Sequence, residues 1–223
     1  MKILALDTST ETAGVAVVES NRILGEDTWN TGMTHTTELI PRVEKLLKKL
    51  LIDISEINAV ACAVGPGSFN GLRVGISTAK GLALVRELPS VGINTLTAIK
   101  ESFDIKADNI CVVLPAGRKE VAYSFMNSSD MQIADPETVC SQIDRPFWLT
   151  GEVEDHIRER FSELLGDRFI GVVEPERSRV GMIGLLGEKE ITAGNAVNAS
   201  EIKAIYLKRP NITKPKKYHY LQG

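Results

Sequence analysis

Residues 57–75 read INAVACAVGPGSFNGLRVG, and the fold turns on how this stretch divides. The opening run, 57–64, is apolar apart from Asn58. An apolar run without alternation is the pattern of a strand covered by helices on both faces of a sheet. At Gly65-Pro66-Gly67-Ser68-Phe69-Asn70-Gly71 it gives way to turn chemistry, and from about residue 72 to residue 87 apolar positions recur at helical spacing until Pro89 stops them. A buried strand, a glycine-rich turn and a helix make an α/β chain. The turn sits at the strand's carboxyl end, where such folds place ligands.

Upstream, 2–8 and 13–18 read as strands around the polar turn Asp7-Thr8-Ser9-Thr10-Glu11-Thr12, and the tight-turn sequence at 19–22 leads to a third strand at 23–29. These form an antiparallel meander. A helix follows over about 37–51. Thr34, Thr36 and Thr37 offer capping hydroxyls, and Pro41 is expected in the first turn, where its missing N–H does no harm. Leu39, Ile40, Val43, Leu46, Leu47, Leu50 and Leu51 give this helix a wide apolar stripe. Residues 91–94 supply a fifth strand.

Downstream the order returns. Strands are expected at 110–114, 121–125, 131–134, 147–150 and 169–173, and helices at 137–143, 152–165 and 181–190. The repeated order implies α/β architecture with an actin-like fold: two ribonuclease-H-like lobes, each a mixed sheet of five-stranded type flanked by helices. We divide the chain into an amino-terminal lobe at 1–100, a second lobe at 101–210 and a basic tail at 211–223, with the boundary in the polar segment 97–107.

The 223 residues are 43% hydrophobic and 25% charged, enough for a core without disulfide or metal support. The net charge of −3 argues against a broad nucleic-acid footprint. Lys203, Lys208, Arg209, Lys214, Lys216 and Lys217 are a local exception, read either as a solvated terminus or as a weak contact for an anion such as RNA backbone. The three cysteines, Cys62, Cys111 and Cys140, have no metal-ligand spacing, and two lie in apolar runs, as expected for free thiols in a reducing compartment. The amino terminus reads as a strand, and no apolar run approaches the ~18 residues of a membrane span. The expected location is the cytoplasm.

The glycine-rich turn is not a phosphate-binding Walker loop, because no lysine follows the spacer, and its third glycine comes too late for a dinucleotide fingerprint. Two readings stay open: a rigid turn with no ligand, or a turn shaped for a phosphate or a partner, with free N–H groups at the helix start. In the helix beyond it, Gly71, Gly75, Ala79 and Ala83 recur every fourth residue, so one face lacks side chains. It packs on the first helix, docks on another subunit, or does both. Asp7, at the end of the first strand, is a turn former or a metal-holding acid. His35 stands one helical turn before Leu39, which cannot share a metal with it, and neither a metal set nor a Ser-His-Asp set can be assembled from the sequence.

GPGSFNGLRVG, MKILALDTSTE and the helix opening MTHTTELIPRVEKLL together resemble the TsaB (YeaZ) family, closely over 1–100 and more loosely beyond, at Arg118-Lys119-Glu120-Val121, Leu149-Thr150-Gly151 and 204–209. The resemblance implies the actin-like fold and a role in making N6-threonylcarbamoyladenosine at tRNA position 37. TsaB proteins are non-catalytic relatives of TsaD, which carries a metal-binding His-x-x-x-His and transfers the threonylcarbamoyl group from an intermediate made by TsaC. They pair with TsaD through their first two helices and help the ATPase TsaE to assemble. On this basis His35, Leu39, Val43, Leu46, Leu72, Arg73, Gly75, Ile76, Ala79 and Leu82 are expected to bind the partner. Asp7, Thr8, Ser9, Gly65, Gly67 and Ser68 are the candidate nucleotide or anion loop. The expected catalytic and metal sets are empty. No cofactor of its own is implied, with ATP held weakly or at an interface with partners. A homodimer is expected when the chain is alone, and tRNA contact is expected only through the complex, with no membrane involvement. Asn70 stands where the family usually has Thr. Leu114-Pro115-Ala116-Gly117-Arg118 stands where it commonly has an aliphatic residue followed by Asp-Ala-Arg, so the acid is missing. The alternative reading is a stand-alone actin-fold ATPase or kinase, and a third is a protease, which would need a metal or a nucleophile–base pair.

Overall fold

The computed structural model describes residues 1–32, 35–104, 107–117 and 119–207. The expected contributions of Thr34, Arg118 and the basic residues from Lys208 onward therefore lie outside the described residues.

The chain builds two five-stranded sheets of one design. β1 (Lys2–Asp7), β2 (Thr12–Glu19), β3 (Arg22–Asn30), β4 (Ile57–Gly65) and β5 (Ser90–Asn94) lie in the order β3-β2-β1-β4-β5. β6 (Ile110–Pro115), β7 (Val121–Phe125), β8 (Gln132–Ala134), β9 (Phe147–Gly151) and β10 (Phe169–Val172) lie in the order β10-β9-β6-β7-β8, the same arrangement. In each sheet the first strand pairs antiparallel with the second and parallel with the fourth, with Leu4 opposite Val17 and Val60 in the first sheet. This is the duplicated actin-like fold expected from the element order. The β2–β3 hairpin turns on Ser20 and Asn21, both left-handed at φ 51° and 57°, as a two-residue turn requires.

Two-residue periodicity sorts the first sheet into two cores. Leu4, Leu6, Val15, Val17, Val60 and Cys62 face α1 (His35–Leu50) and α2 (Phe69–Leu84). Ile3, Ala5, Ala16, Ala59 and Ala61 face α6 (Arg179–Thr192). That second face is mostly alanine, so α6 must come close, and it does so on glycine: a Cβ at Gly184 would overlap Val18, and one at Gly187 would overlap Ala61. In the second sheet Cys111, Val113, Phe147 and Leu149 pack under α4 (Pro136–Cys140) and α5 (Asp155–Leu165).

Three expectations need correction. Residues 95–101 form a helix, α3 (Thr95–Glu101), where the sequence reads as a polar boundary. Asn94 caps it by accepting from the Thr97 N–H at 3.0 Å, and Leu96, Ile99 and Phe103 bury themselves against the other face of the second sheet. α6, assigned to the second lobe by a boundary near 100, packs on the first sheet, and Val197 pairs with Ser90 beyond it, so the chain leaves the first lobe and returns. Pro41 lies inside α1, not in its first turn, because the helix starts at His35; its ring removes an N–H from the helical ladder.

The candidate partner face and the cleft between the sheets

The turn after β1 and the glycine-rich loop after β4 meet, as expected, but they meet each other. The Ser68 N–H donates to the Ser9 carbonyl at 2.7 Å, and the Thr8 hydroxyl donates to the Gly71 carbonyl at 2.7 Å. A Cβ at Gly67 would strike the Ser9 carbonyl, and one at Gly71 would strike the Thr8 carbonyl. Gly65 is left-handed at φ 110°, with the Ile205 carbonyl where its Cβ would point, and the Ile205 N–H donates to Val64 O at 2.7 Å. Ser68 caps α2 by accepting from Gly71 N at 3.3 Å. The Thr8 hydroxyl, the Ser9 N–H and hydroxyl and the Ser68 N–H thus already serve the chain itself, which stiffens the turn and leaves an anion fewer donors.

The side-chain-poor ridge of α2 also faces inward. Leu72, Gly75, Ile76 and Ala79 are buried, as are His35, Leu39, Val43 and Leu46 of α1. The small residues let α2 settle onto the Thr8 turn, so these eight positions are core and not partner surface. Of the expected set, Arg73 is exposed, its guanidinium 5.2 Å from the Phe69 ring centroid, and Leu82 is half-buried. The apolar groups that do reach solvent lie elsewhere on the two helices and just past their ends: Leu51 is 91% exposed, Val85 85%, Leu84 53% and Ile40 48%. Arg86, just past α2, ties that helix end to the turn between α1 and β4, donating to the carbonyls of Ile54 at 2.6 Å, Ser55 at 2.6 Å and Ile57 at 2.9 Å.

His35 opens α1 in a dry place. Its Nε2 lies 3.3 Å from the Thr31 hydroxyl, and its Nδ1 is buried with no hydrogen-bond partner. Burial pushes its pKa below the ordinary 6.5, against the pull of Asp7 and Glu38. Among the described residues no three of His, Cys, Asp and Glu come together where a metal could bind. The thiols are buried and free; desolvation pushes Cys62 up to about 12 and Cys140 to about 11. No helix among the described residues is long and apolar enough to cross a membrane.

A cavity of about 490 Å³ separates the sheets, lined by Asp7, Thr12, Glu152, Glu174, Glu176 and Arg179 among others. Sequence reasoning missed Arg179 and Glu152. Asp7 Oδ1 accepts from the Ser9 N–H at 2.9 Å and the Ser9 hydroxyl at 2.6 Å, while Oδ2 pairs with Arg179 Nε. Arg179 also donates to the Thr10 hydroxyl at 2.7 Å and the Thr12 carbonyl at 2.6 Å. Glu152, after β9 of the other sheet, accepts from Thr10 Oγ1 at 2.9 Å and from Thr12 N at 3.2 Å and Oγ1 at 3.0 Å, and lies 3.5 Å from Arg179. Burial works against the guanidinium charge, but Asp7 and Glu152 outweigh it and hold the Arg179 pKa above its ordinary value. Actin-like folds hold a nucleotide with its magnesium ion in such a cleft. The residues here do not fit that group: both oxygens of Asp7 are engaged, and the walls carry Glu152, Glu154, Glu174 and Glu176.

Residues 30–144 match the family model for TsaD, tRNA N6-adenosine threonylcarbamoyltransferase. The tRNA threonylcarbamoyladenosine biosynthesis protein TsaB of Haemophilus influenzae is 36% identical over 129 residues, covering 56% of this chain and 53% of that protein. TsaB of Escherichia coli is 38% identical over 111 residues, covering 45% of this chain and 43% of that protein, so the chain spans about half the length of these curated relatives or less. YeaZ from Pseudomonas aeruginosa shares the fold at a TM-score of 0.75 and 22% identity, covering 92% of this chain and 99% of that one. With the duplicated sheets in place, the TsaD model spans more than half of the chain, so the chain belongs to that family, in which its curated sequence relatives are the TsaB (YeaZ) proteins.

Proposed function

We propose that this chain is a non-catalytic, cytoplasmic subunit in the synthesis of N6-threonylcarbamoyladenosine on tRNA, pairing with a TsaD-type catalytic relative and supporting a TsaE-type ATPase. The observation that carries the reading is the apolar surface at the ends of α1 and α2. Leu51 and Val85 stand almost wholly in water, on segments tied together by Arg86. Leu51 is held there in a left-handed conformation, φ 56°, which costs an apolar residue about 1–2 kcal/mol. Contiguous exposed apolar patches mark interaction sites, and we take Leu51, Leu84 and Val85 to form one. The names of the relatives supply the pathway, and the TsaD model match supplies the kind of partner. The partner's helices would seat on the outer residues, not on the buried stripe, and without that partner the same surface would join two copies about a two-fold axis. ATP enters through the partners, and tRNA reaches the chain through the assembly.

The test is to mix the chain with the TsaD-type protein of the same cell and weigh the product. A heterodimer is expected at micromolar concentration, and its absence would sink the proposal. Val85→Asp should weaken pairing at least about tenfold, near 1.4 kcal/mol, while leaving the melting temperature of the isolated chain unchanged.

A further inference from the structure

The cleft between the sheets contains its own cation. Asp7 ends β1, is 2% exposed, and has one oxygen occupied by Ser9 and the other by Arg179, itself 13% exposed. Arg179 reaches it from the first turn of α6, whose start is fixed by Ser178, the hydroxyl of which accepts from Gly181 N at 3.0 Å. The remaining guanidinium donors span Thr10 and Thr12 on the first sheet and Glu152 on the second. Glu152 grips the same Thr10–Thr12 turn with three hydrogen bonds of its own. One arginine and one glutamate thus join the two lobes at the cleft. Below this join the walls carry Glu154, Glu174 and Glu176, and Arg177, the other cation there, is paired with Asp104 at 2.6 Å. A polyphosphate entering this cleft would meet carboxylates, and its divalent ion would have to displace Arg179 from Asp7.

We infer that Arg179 is a built-in counter-ion for Asp7 which, with Glu152, latches the second lobe to the first, so that the cleft keeps one aperture and refuses a metal–nucleotide. Side chains, and no ligand, fasten the two lobes of this chain to each other. Arg179 is a positioning residue here. A planar fork is needed to serve Asp7, Thr10 and Thr12 at once, so lysine would replace its charge but not its span.

The inference is tested on the full chain with one spin label on each lobe, at Lys49→Cys and Glu159→Cys, both exposed; the native thiols are buried and their raised pKa keeps them unreactive. Diluted into excess unlabelled chain, so that paired copies add no distances between them, the labelled chain should show one narrow distance distribution, unmoved by millimolar Mn²⁺ and ATP. Arg179→Met should broaden it towards longer distances, Glu152→Gln should do so to a lesser degree, and Arg179→Lys should recover part of the loss. Should Arg179→Met fail to fold, Glu152→Gln carries the comparison, since it removes only the charge from the second-lobe side. The latch is overturned if the folded variants keep the narrow distribution while only their melting temperature falls, or if the unaltered chain binds Mn²⁺ and ATP saturably. Neither readout depends on a TsaD-type partner.

Discussion

A methyl group added at Gly75 would meet the Thr8 hydroxyl, which already donates to Gly71 O. Neither side can give way without losing that bond or lifting α2 off the sheet, so Gly75→Ala should cost about 1–3 kcal/mol in urea denaturation, the usual scale of an overpacked core. A side chain there tests packing, and loss of partner binding in such a variant would be indirect. His35 supplies a pH signature. Its folded pKa lies below the ordinary 6.5, so the unfolded chain binds more protons as pH falls through that value. Its contribution to stability is intact above 6.5 and drains away towards the lowered folded pKa. Melting temperatures measured from pH 7.5 to 5 should fall, and His35→Gln should flatten that part of the curve. Residues such as these show what was legible. The glycine spacing announced a close approach, yet spacing does not say whether the approaching body is another chain or the chain's own turn. Arg179 carried no signal, because its partners lie 172 and 27 residues away and nothing around ERSRVG marks it.

At the scale of elements, the apolar runs and turn residues placed every strand within a residue or two, since period-two burial and glycine, asparagine or proline punctuation act locally. α3 escaped because it is seven residues long and its apolar positions are interleaved with Thr97 and Lys100, too few turns for a period to stand out. The wide stripe of α1 was read correctly as a burial signal but assigned to the wrong neighbour: Leu39, Val43 and Leu46 fill the space above Leu6 and Val15. The end of α1 is the more informative part. Leu51 N donates to Lys48 O at 3.2 Å and Ile52 N to Leu47 O at 3.0 Å, the closing bonds of a helix that normally ends on left-handed glycine. Leu51→Gly should raise the stability of the isolated chain by about 1 kcal/mol and weaken pairing with the TsaD-type protein. A thermal melt and a binding titration on one preparation check both.

At the scale of the whole molecule, the duplicated strand order was visible because the same sequence of elements appears twice. What could not be read was the sorting of helices between lobes. Chain order suggests that late helices serve the late sheet, and only the fit of Gly184 and Gly187 against Val18 and Ala61 reveals that α6 belongs to the early one. This return has a consequence for how the protein comes into being. Translation delivers the meander and the parallel strands first, yet the alanine face of Ala5, Ala16, Ala59 and Ala61 stays bare until α6 has left the ribosome. The first lobe therefore cannot mature ahead of the second, as independent domains do during synthesis. The nascent chain must be kept from sticking to its neighbours over most of its length, and the first lobe closes only when α6 arrives.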